Sequence, residues 1–303
     1  MNPPNLFDLL LSTQALELAP RLEPFWYTSG TVGPFYLNAH FLYGNRQKAE
    51  ELLAFIDAHA HDRRGLLFAL HERAQKNYEE DEGYRAVIDH AVALARTHLA
   101  AEHVAYVSGG ERRDWFFSLM IAHRLDKPGL AIFKDQTTFL FSSKEKLCEE
   151  AARLAGAKIL HVADLVTEAS SYTRAWLPAL QQRGGELRWA INIVDRGQGG
   201  EEVLRQNNVA PFHLIQLGAP FFEHLQRAGY LDAATKDVLC AYLREPRASM
   251  KRLLEEHPEI VRHALQSSEA KTRQRAEQML AQNPYGFTPE QRAKFFVADE
   301  RRL

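Results

Sequence analysis

Between residues 102 and 217, five short runs rich in Val, Ile and aromatic residues alternate with stretches whose apolar residues recur at helical spacing. The runs are HVAYVSGG, PGLAIFKD, AKILHVAD, ELRWAINIVDR and PFHLIQL; the helical stretches are DWFFSLMIAHRL, SKEKLCEEAARLAG and SYTRAWLPALQQRGG. Strands separated by helices cross over and pair in parallel, because a tight hairpin leaves no room for the helix. A sheet built this way is covered on both faces, and the loops at the carboxyl ends of its strands are where a ligand site forms. The expected class is therefore α/β, with a mostly parallel sheet over 102–217. Residues 1–44 read as an N-terminal helix (Asn5 to Leu18) and a turn-and-strand segment, YTSGTVGPFYLN. Residues 45–101 read as a helical insertion, and 218–303 as a helical C-terminal extension punctuated by Pro246, Pro258, Pro284 and Pro289.

Charge narrows the partners. With 37 basic and 39 acidic side chains the formal charge is -2, which gives no broad nucleic-acid footprint and no polybasic membrane surface. No apolar run approaches membrane-spanning length, and the N-terminal apolar run lacks a basic lead-in and carries Asp8, which argues against a signal peptide. Cys148 and Cys240 lie far apart with no CxxC or Cys/His cluster, so free thiols in a reducing cytoplasm are expected. The segment DAHAHD spaces Asp57 and His61 to share a helix face, but no third ligand is implied; it reads as a solvated helix end, and no protein metal site is assigned. EAKTRQRAEQMLAQ carries a narrow apolar stripe that suits packing on the core or on a second subunit.

The strand-end loops carry the chemistry. HVADLVTEASSYTRA runs from a strand through Asp164 into Thr167, Ser170, Ser171 and Thr173 at the start of a helix near Tyr172. Unpaired N–H groups, the helix dipole and hydroxyls make such a turn competent to hold a phosphomonoester; an ordinary N-cap is the alternative. VSGGERRDW offers Gly109 and Gly110 for close backbone approach and Arg112 and Arg113 as guanidinium forks, a combination that suits a diphosphate, or else a surface turn in which Asp114 caps the next helix. IFKD puts Lys134 on the same edge, and NIVDRGQGG adds Asp195 and Arg196.

Taken together, these loops resemble those of the type I phosphoribosyltransferases, and specifically the orotate phosphoribosyltransferases, from about Phe25 to Leu217 with the helical insertion excluded. TSGTVGPFYLN is similar to the family's KSG-SPFYxD segment, VSGGERRDW stands in the diphosphate-loop position, and FKD is like the RK pair before the flexible loop. HVADLVTEASS stands in the phosphoribosyl-diphosphate motif, and VDRGQGG is like VDR-EGG. The resemblance implies phosphoribosyl transfer from phosphoribosyl diphosphate to orotate or a similar base. Phe35 and Tyr36 would lie against the base and Arg196 would pair with its carboxylate. Gly109, Gly110, Arg112 and Arg113 would hold diphosphate, and Thr167, Ser170, Ser171 and Thr173 the 5-phosphate. Asp164, at the ribose, and Lys134, neutralising the leaving diphosphate, would be the catalytic residues. Mg²⁺ would arrive mainly with the diphosphate, and a homodimer is implied.

Four departures from the pattern bear on activity. Ala163 stands where the family has a second acid; Glu168 and Ala169 stand where it has Thr or Ala and then Gly; DQTTFLFSSKEK lacks the lysine and histidine of the flexible loop; and Thr28 replaces a lysine. A carboxylate beside a phosphate costs Coulomb energy, and Ala tolerates positive φ less well than Gly. The departures favour an alternative, a non-catalytic paralogue that binds a phosphorylated ribose compound as a sensor or regulatory subunit.

Overall fold

The structure, a computed structural model, describes residues 4–20, 22–99 and 103–297. Helix α1 (Leu6–Ser12) starts at Asn5, whose side chain accepts the Phe7 N–H. Four short strands follow, β1 (Leu16–Leu18), β2 (Phe25–Trp26), β3 (Val32–Gly33) and β4 (Phe35–Leu37), and then a 3-10 helix, Ala39–Tyr43. Helices α2 (Arg46–His59), α3 (Arg63–Glu80) and α4 (Glu82–His98) are each opened by a side-chain cap, from Asn45, Asp62 and Asp81 respectively.

Beyond them come β5 (Tyr106–Gly110), α5 (Trp115–Arg124), β6 (Gly129–Ile132), β7 (Thr138–Ser142), β8 (Leu147–Glu150) and β9 (Lys158–Val166). A wide π-type turn, Tyr172–Trp176, runs into α6 (Leu177–Gln181), followed by β10 (Glu186–Asp195), α7 (Gly200–Gln206) and β11 (Ala210–Gln216). These seven longer strands form one sheet in the order β11-β10-β9-β5-β6-β7-β8. The first five are mutually parallel, as the alternation requires, and β7 and β8 extend the edge as an antiparallel ribbon. Helix α5 is buried along Trp115 to Ala122, with α3 and α4 packed on it; the stretch expected as an insertion thus helps to cover the sheet.

Three expectations need correction. The N-terminal helix ends at Ser12, and Leu16–Leu18, expected within it, is a strand paired with β4. SKEKLCEEAARLAG is not a helix: Leu147–Glu150 pairs with β7, Phe141 opposite Cys148, and the chain beyond is irregular. Cys148, Ala151 and Leu154 are all buried at a spacing of three, which imitates a helical stripe. Each is held by a different partner. Cys148 sits in the ladder, the Ala151 N–H donates to Thr138 O, and the Leu154 N–H donates to Arg183 O. Asp164, in turn, does not follow its strand but lies within it, since β9 continues to Val166.

The chain divides into two compact units. The first comprises residues up to Ala15 with Asn38–Leu217, and the second Leu16–Leu37 with Gly218–Leu303. In the second, β1 pairs antiparallel with β4, and β2 with β3. Helices α8 (Ala219–Arg227), α9 (Ala233–Arg244), α10 (Pro246–Glu256), α11 (Glu259–Leu265), α12 (Ala270–Gln282) and α13 (Pro289–Ala293) complete it. Inside this unit Phe35 meets Tyr242 edge-on, the Val32 N–H donates to the Tyr285 hydroxyl, and the Arg275 guanidinium donates to Trp26 O. Among the described residues no helix is long and apolar enough to cross a membrane.

Candidate functional site

At the end of β5 the two glycines serve packing within the protein. A Cβ on Gly109 would stand 2.2 Å from Ser118 Oγ, and one on Gly110 would stand 2.2 Å from Trp176 Nε1. The Gly110 N–H is already engaged, donating to Asp114 Oδ2 at 2.9 Å. Asp114 makes no cap bond to α5; its other oxygen accepts the Asp164 N–H at 2.9 Å, tying the β5 loop to β9. Burial pushes the Asp114 carboxyl up to about 7, against the pull of those two N–H groups. Asp164 is half-buried, and burial together with the Asp114 charge raises its pKa well above the carboxylate range, so at neutral pH the pair holds a proton. Behind them His161 accepts or donates to Ser108 Oγ at 2.8 Å and stacks on Trp176 at 4.3 Å; burial lowers its pKa to about 3, leaving it neutral. Ala163, where the family pattern has an acid, is fully buried in an apolar cluster with Val166 and Tyr172.

The predicted cations divide. Arg112 pairs with Asp57 of α2, whereas Arg113 is exposed and, among the described residues, makes no side-chain hydrogen bond. Asp57 therefore has a structural partner, and His61 lies beyond the end of α2. After β6, Arg63 stacks over Phe133 at 4.4 Å and pairs with Asp135; the Thr137 hydroxyl and Arg63 hold the Asp135 carboxyl down at about 2. That clamp fixes the FKD corner and leaves the Lys134 side chain exposed.

The turn after β9 carries the hydroxyl residues expected to hold a phosphate. Ala169 adopts φ +54°, the left-handed conformation expected of a glycine there. Thr167 is half-buried, and Glu168, Ser170 and Ser171 are exposed. The Thr173 hydroxyl donates back to the carbonyls of Ala169 and Ser170, so it closes the turn rather than pointing away from it. Ser170 and Ser171 line a cleft of ≈ 320 Å³ with Glu111, Lys134, Arg174 and Trp176. Two cations and two hydroxyls thus meet at the carboxyl edge of the sheet, with one carboxylate opposite. Arg174 and Asp114 are the residues that motif reading missed. Arg174 could have been found, since it stands four residues after Ser170 and so on the same helical face.

After β10, the buried Asp195 carboxylate accepts the Gly197 N–H at 2.8 Å, and the Arg196 N–H donates to Val166 O at 2.9 Å, binding this loop to the end of β9. Gly200 packs so closely that a Cβ would stand 2.8 Å from Thr167 O. In the second unit, Phe35 is fully buried against Tyr242, and the Tyr36 hydroxyl donates to Trp26 O at 2.9 Å.

A parallel sheet of this order, with its loops clustered at the carboxyl edge, has the phosphoribosyltransferase fold. No family model matches the chain. It is similar to an orotate phosphoribosyltransferase of Methanopyrus kandleri, 41% identical over 54 residues, which are 18% of this chain and 29% of that protein. Among solved structures it is similar to the UMP synthase of Leishmania donovani, with 13% identity and a TM-score of 0.50 over 79% of this chain and 42% of that one. It also matches the orotate phosphoribosyltransferase of Aeropyrum pernix, with 19% identity and a TM-score of 0.46 over 73% of this chain and 99% of that one. The chain thus spans less than half the length of the first two relatives.

Proposed function

We propose that the chain transfers a phosphoribosyl group from phosphoribosyl diphosphate to orotate or a similar base, releasing diphosphate. The observation that carries this reading is the convergence of Lys134, Arg174, Ser170 and Ser171 on one cleft at the carboxyl edge of a parallel sheet. Charge-assisted donors at that position suit a phosphorylated sugar, and stabilising the departing diphosphate requires no covalent nucleophile. Arg113, exposed on the neighbouring loop, adds a further cation for diphosphate. Mg²⁺ would come with the diphosphate, and Asp164, the more exposed member of its carboxyl pair, would meet the ribose hydroxyls. Arg196 remains the residue proposed for the carboxylate of the base. A homodimer and a cytoplasmic location belong to the same proposal.

A second reading, ligand binding without turnover, is favoured by the exposed Glu168 carboxylate in the turn. Calorimetric titration with phosphoribosyl diphosphate and Mg²⁺, followed by an assay of orotate consumption, separates the two. Binding with turnover supports the transferase, and binding alone supports the sensor. The double replacement of Lys134 and Arg174 by Ala should cost about 3–5 kcal/mol of affinity, since each charge-assisted bond contributes about 1.5–3 kcal/mol. Undiminished affinity in the folded double variant would move the ligand elsewhere.

A further inference from the structure

We propose that Asp195, Glu201 and His213 form a binding site for a divalent transition-metal ion. This proposal is independent of the phosphoribosyl reading, which gives these residues no metal. One ligand atom from each side chain lies within 4.8 Å of the other two. The three come from separate pieces of backbone: Asp195 ends β10, Glu201 lies in the first turn of α7, and His213 lies in β11, which pairs in parallel with β10. Their spacing is therefore set by the sheet and a helix together.

The charge balance points to a cation. Asp195 is 2% exposed, and its carboxylate accepts from two neutral donors, the Gly197 N–H at 2.8 Å and the Gln216 amide at 3.0 Å. No Lys or Arg among the described residues forms an ion pair with it. A buried carboxylate with only neutral partners is costly, and the second carboxylate of Glu201 nearby adds like charge. Glu201 already has a cation in Arg205, so the charge that an ion would neutralise is that of Asp195.

Glu201 is already oriented: Oε2 accepts from Arg205 at 2.8 Å, and Oε1 meets His213 Nδ1 at 2.7 Å. With Gln216 holding Asp195, each carboxylate is fixed by a neighbour in the way that metal ligands are. Zn²⁺ bonds of about 2.0–2.2 Å place adjacent ligand atoms about 3–4 Å apart, within reach of side-chain rotation from the present spacing. Two carboxylate oxygens and one imidazole nitrogen suit Mn²⁺ through Zn²⁺ better than Mg²⁺, which favours an all-oxygen shell. With the metal on Nδ1, the neutral imidazole carries its proton on Nε2, and the Nδ1 contact to Glu201 is replaced by the metal.

The test uses the full chain, stripped with chelator and then titrated calorimetrically with Zn²⁺ and, separately, with Mn²⁺. Binding of one equivalent is expected, with His213→Ala and Glu201→Gln each weakening it at least about tenfold. His59→Ala, which removes an exposed imidazole elsewhere, should leave it unchanged. No binding at millimolar metal, or equal binding by all variants, would overturn the proposal and leave the trio as a hydrogen-bonded latch between α7 and β11. Should the variants unfold, Mn²⁺ broadening of the histidine ring resonances in the wild type decides. Selective broadening of His213 supports the site, and uniform broadening refutes it.

Discussion

The carboxyl ends of β9 and β10 lie side by side, Val166 opposite Asp195, and they satisfy similar backbone demands with different residues. After β10, the left-handed positions are Gly197 (φ +71°) and Gly199 (φ +89°), and the crowded one is Gly200. After β9, the left-handed position is Ala169, 4% exposed and packed in the apolar cluster. Residue type and backbone conformation agree in the β10 loop, whereas in the β9 loop an alanine holds a conformation that favours glycine. The β9 path is therefore imposed by packing around the turn, where the methyl of Ala169 joins the apolar cluster of Ala163, Val166 and Tyr172.

The largest effect that would test this contrast is a pH dependence. Asp114, which ties the β5 loop to β9, has its pKa raised from 3.8 to about 7, so the folded chain holds a proton that the unfolded chain releases. Its contribution is fully present below the unfolded pKa and is lost as pH rises through the folded one. Wild-type stability should thus decline relative to Asp114→Asn as pH rises from about 4 to 8. Parallel urea midpoints for the two proteins across that range would show that Asp114 is not the titrating anchor.

Next in size is Gly200→Ala. Its Cβ would stand 2.6 Å from Val166 Cγ2 and 2.8 Å from Thr167 O, so the two loops would have to separate, at a cost of about 2–3 kcal/mol in chemical denaturation. A change under about 0.5 kcal/mol would mean that the loops part easily, contrary to a β9 turn fixed by its surroundings.

The smallest effect is expected at Ala169→Gly. Relief of a left-handed Ala, about 1 kcal/mol, is offset by the loss of a buried methyl, about 0.8 kcal/mol, so stability should stay within about 1 kcal/mol of wild type. Adding Glu168→Thr should then tighten phosphoribosyl diphosphate binding, because a negative charge leaves the turn. If affinity is unchanged, Glu168 does not face the ligand.

How far the sequence revealed all this depended on whether a local pattern had one structural meaning. The five β-rich runs all form parallel strands because no helix can satisfy such short, β-branched segments between turn residues. SKEKLCEEAARLAG misled because its buried residues repeat at three, although ladder and loop contacts create that repeat. Of the candidate site, Lys134, Ser170 and Ser171 were legible as strand-end residues and share the cleft. Asp114 was obscured because Asp before a helix ordinarily caps it, and its bond to Asp164 bridges fifty positions of sequence. Arg174 belonged to no motif, and Thr173, legible as a hydroxyl, gave no sign that it would turn back on its own carbonyls.

The indole of Trp176 fills the volume that a side chain at Gly110 would need. Neither position can therefore drift alone. A descendant that gains a methyl group at 110 must shed bulk at 176, and one that shrinks 176 opens a hole that only a larger residue at 110 can fill. The two positions form one steric unit, in which a change at either calls for its complement at the other.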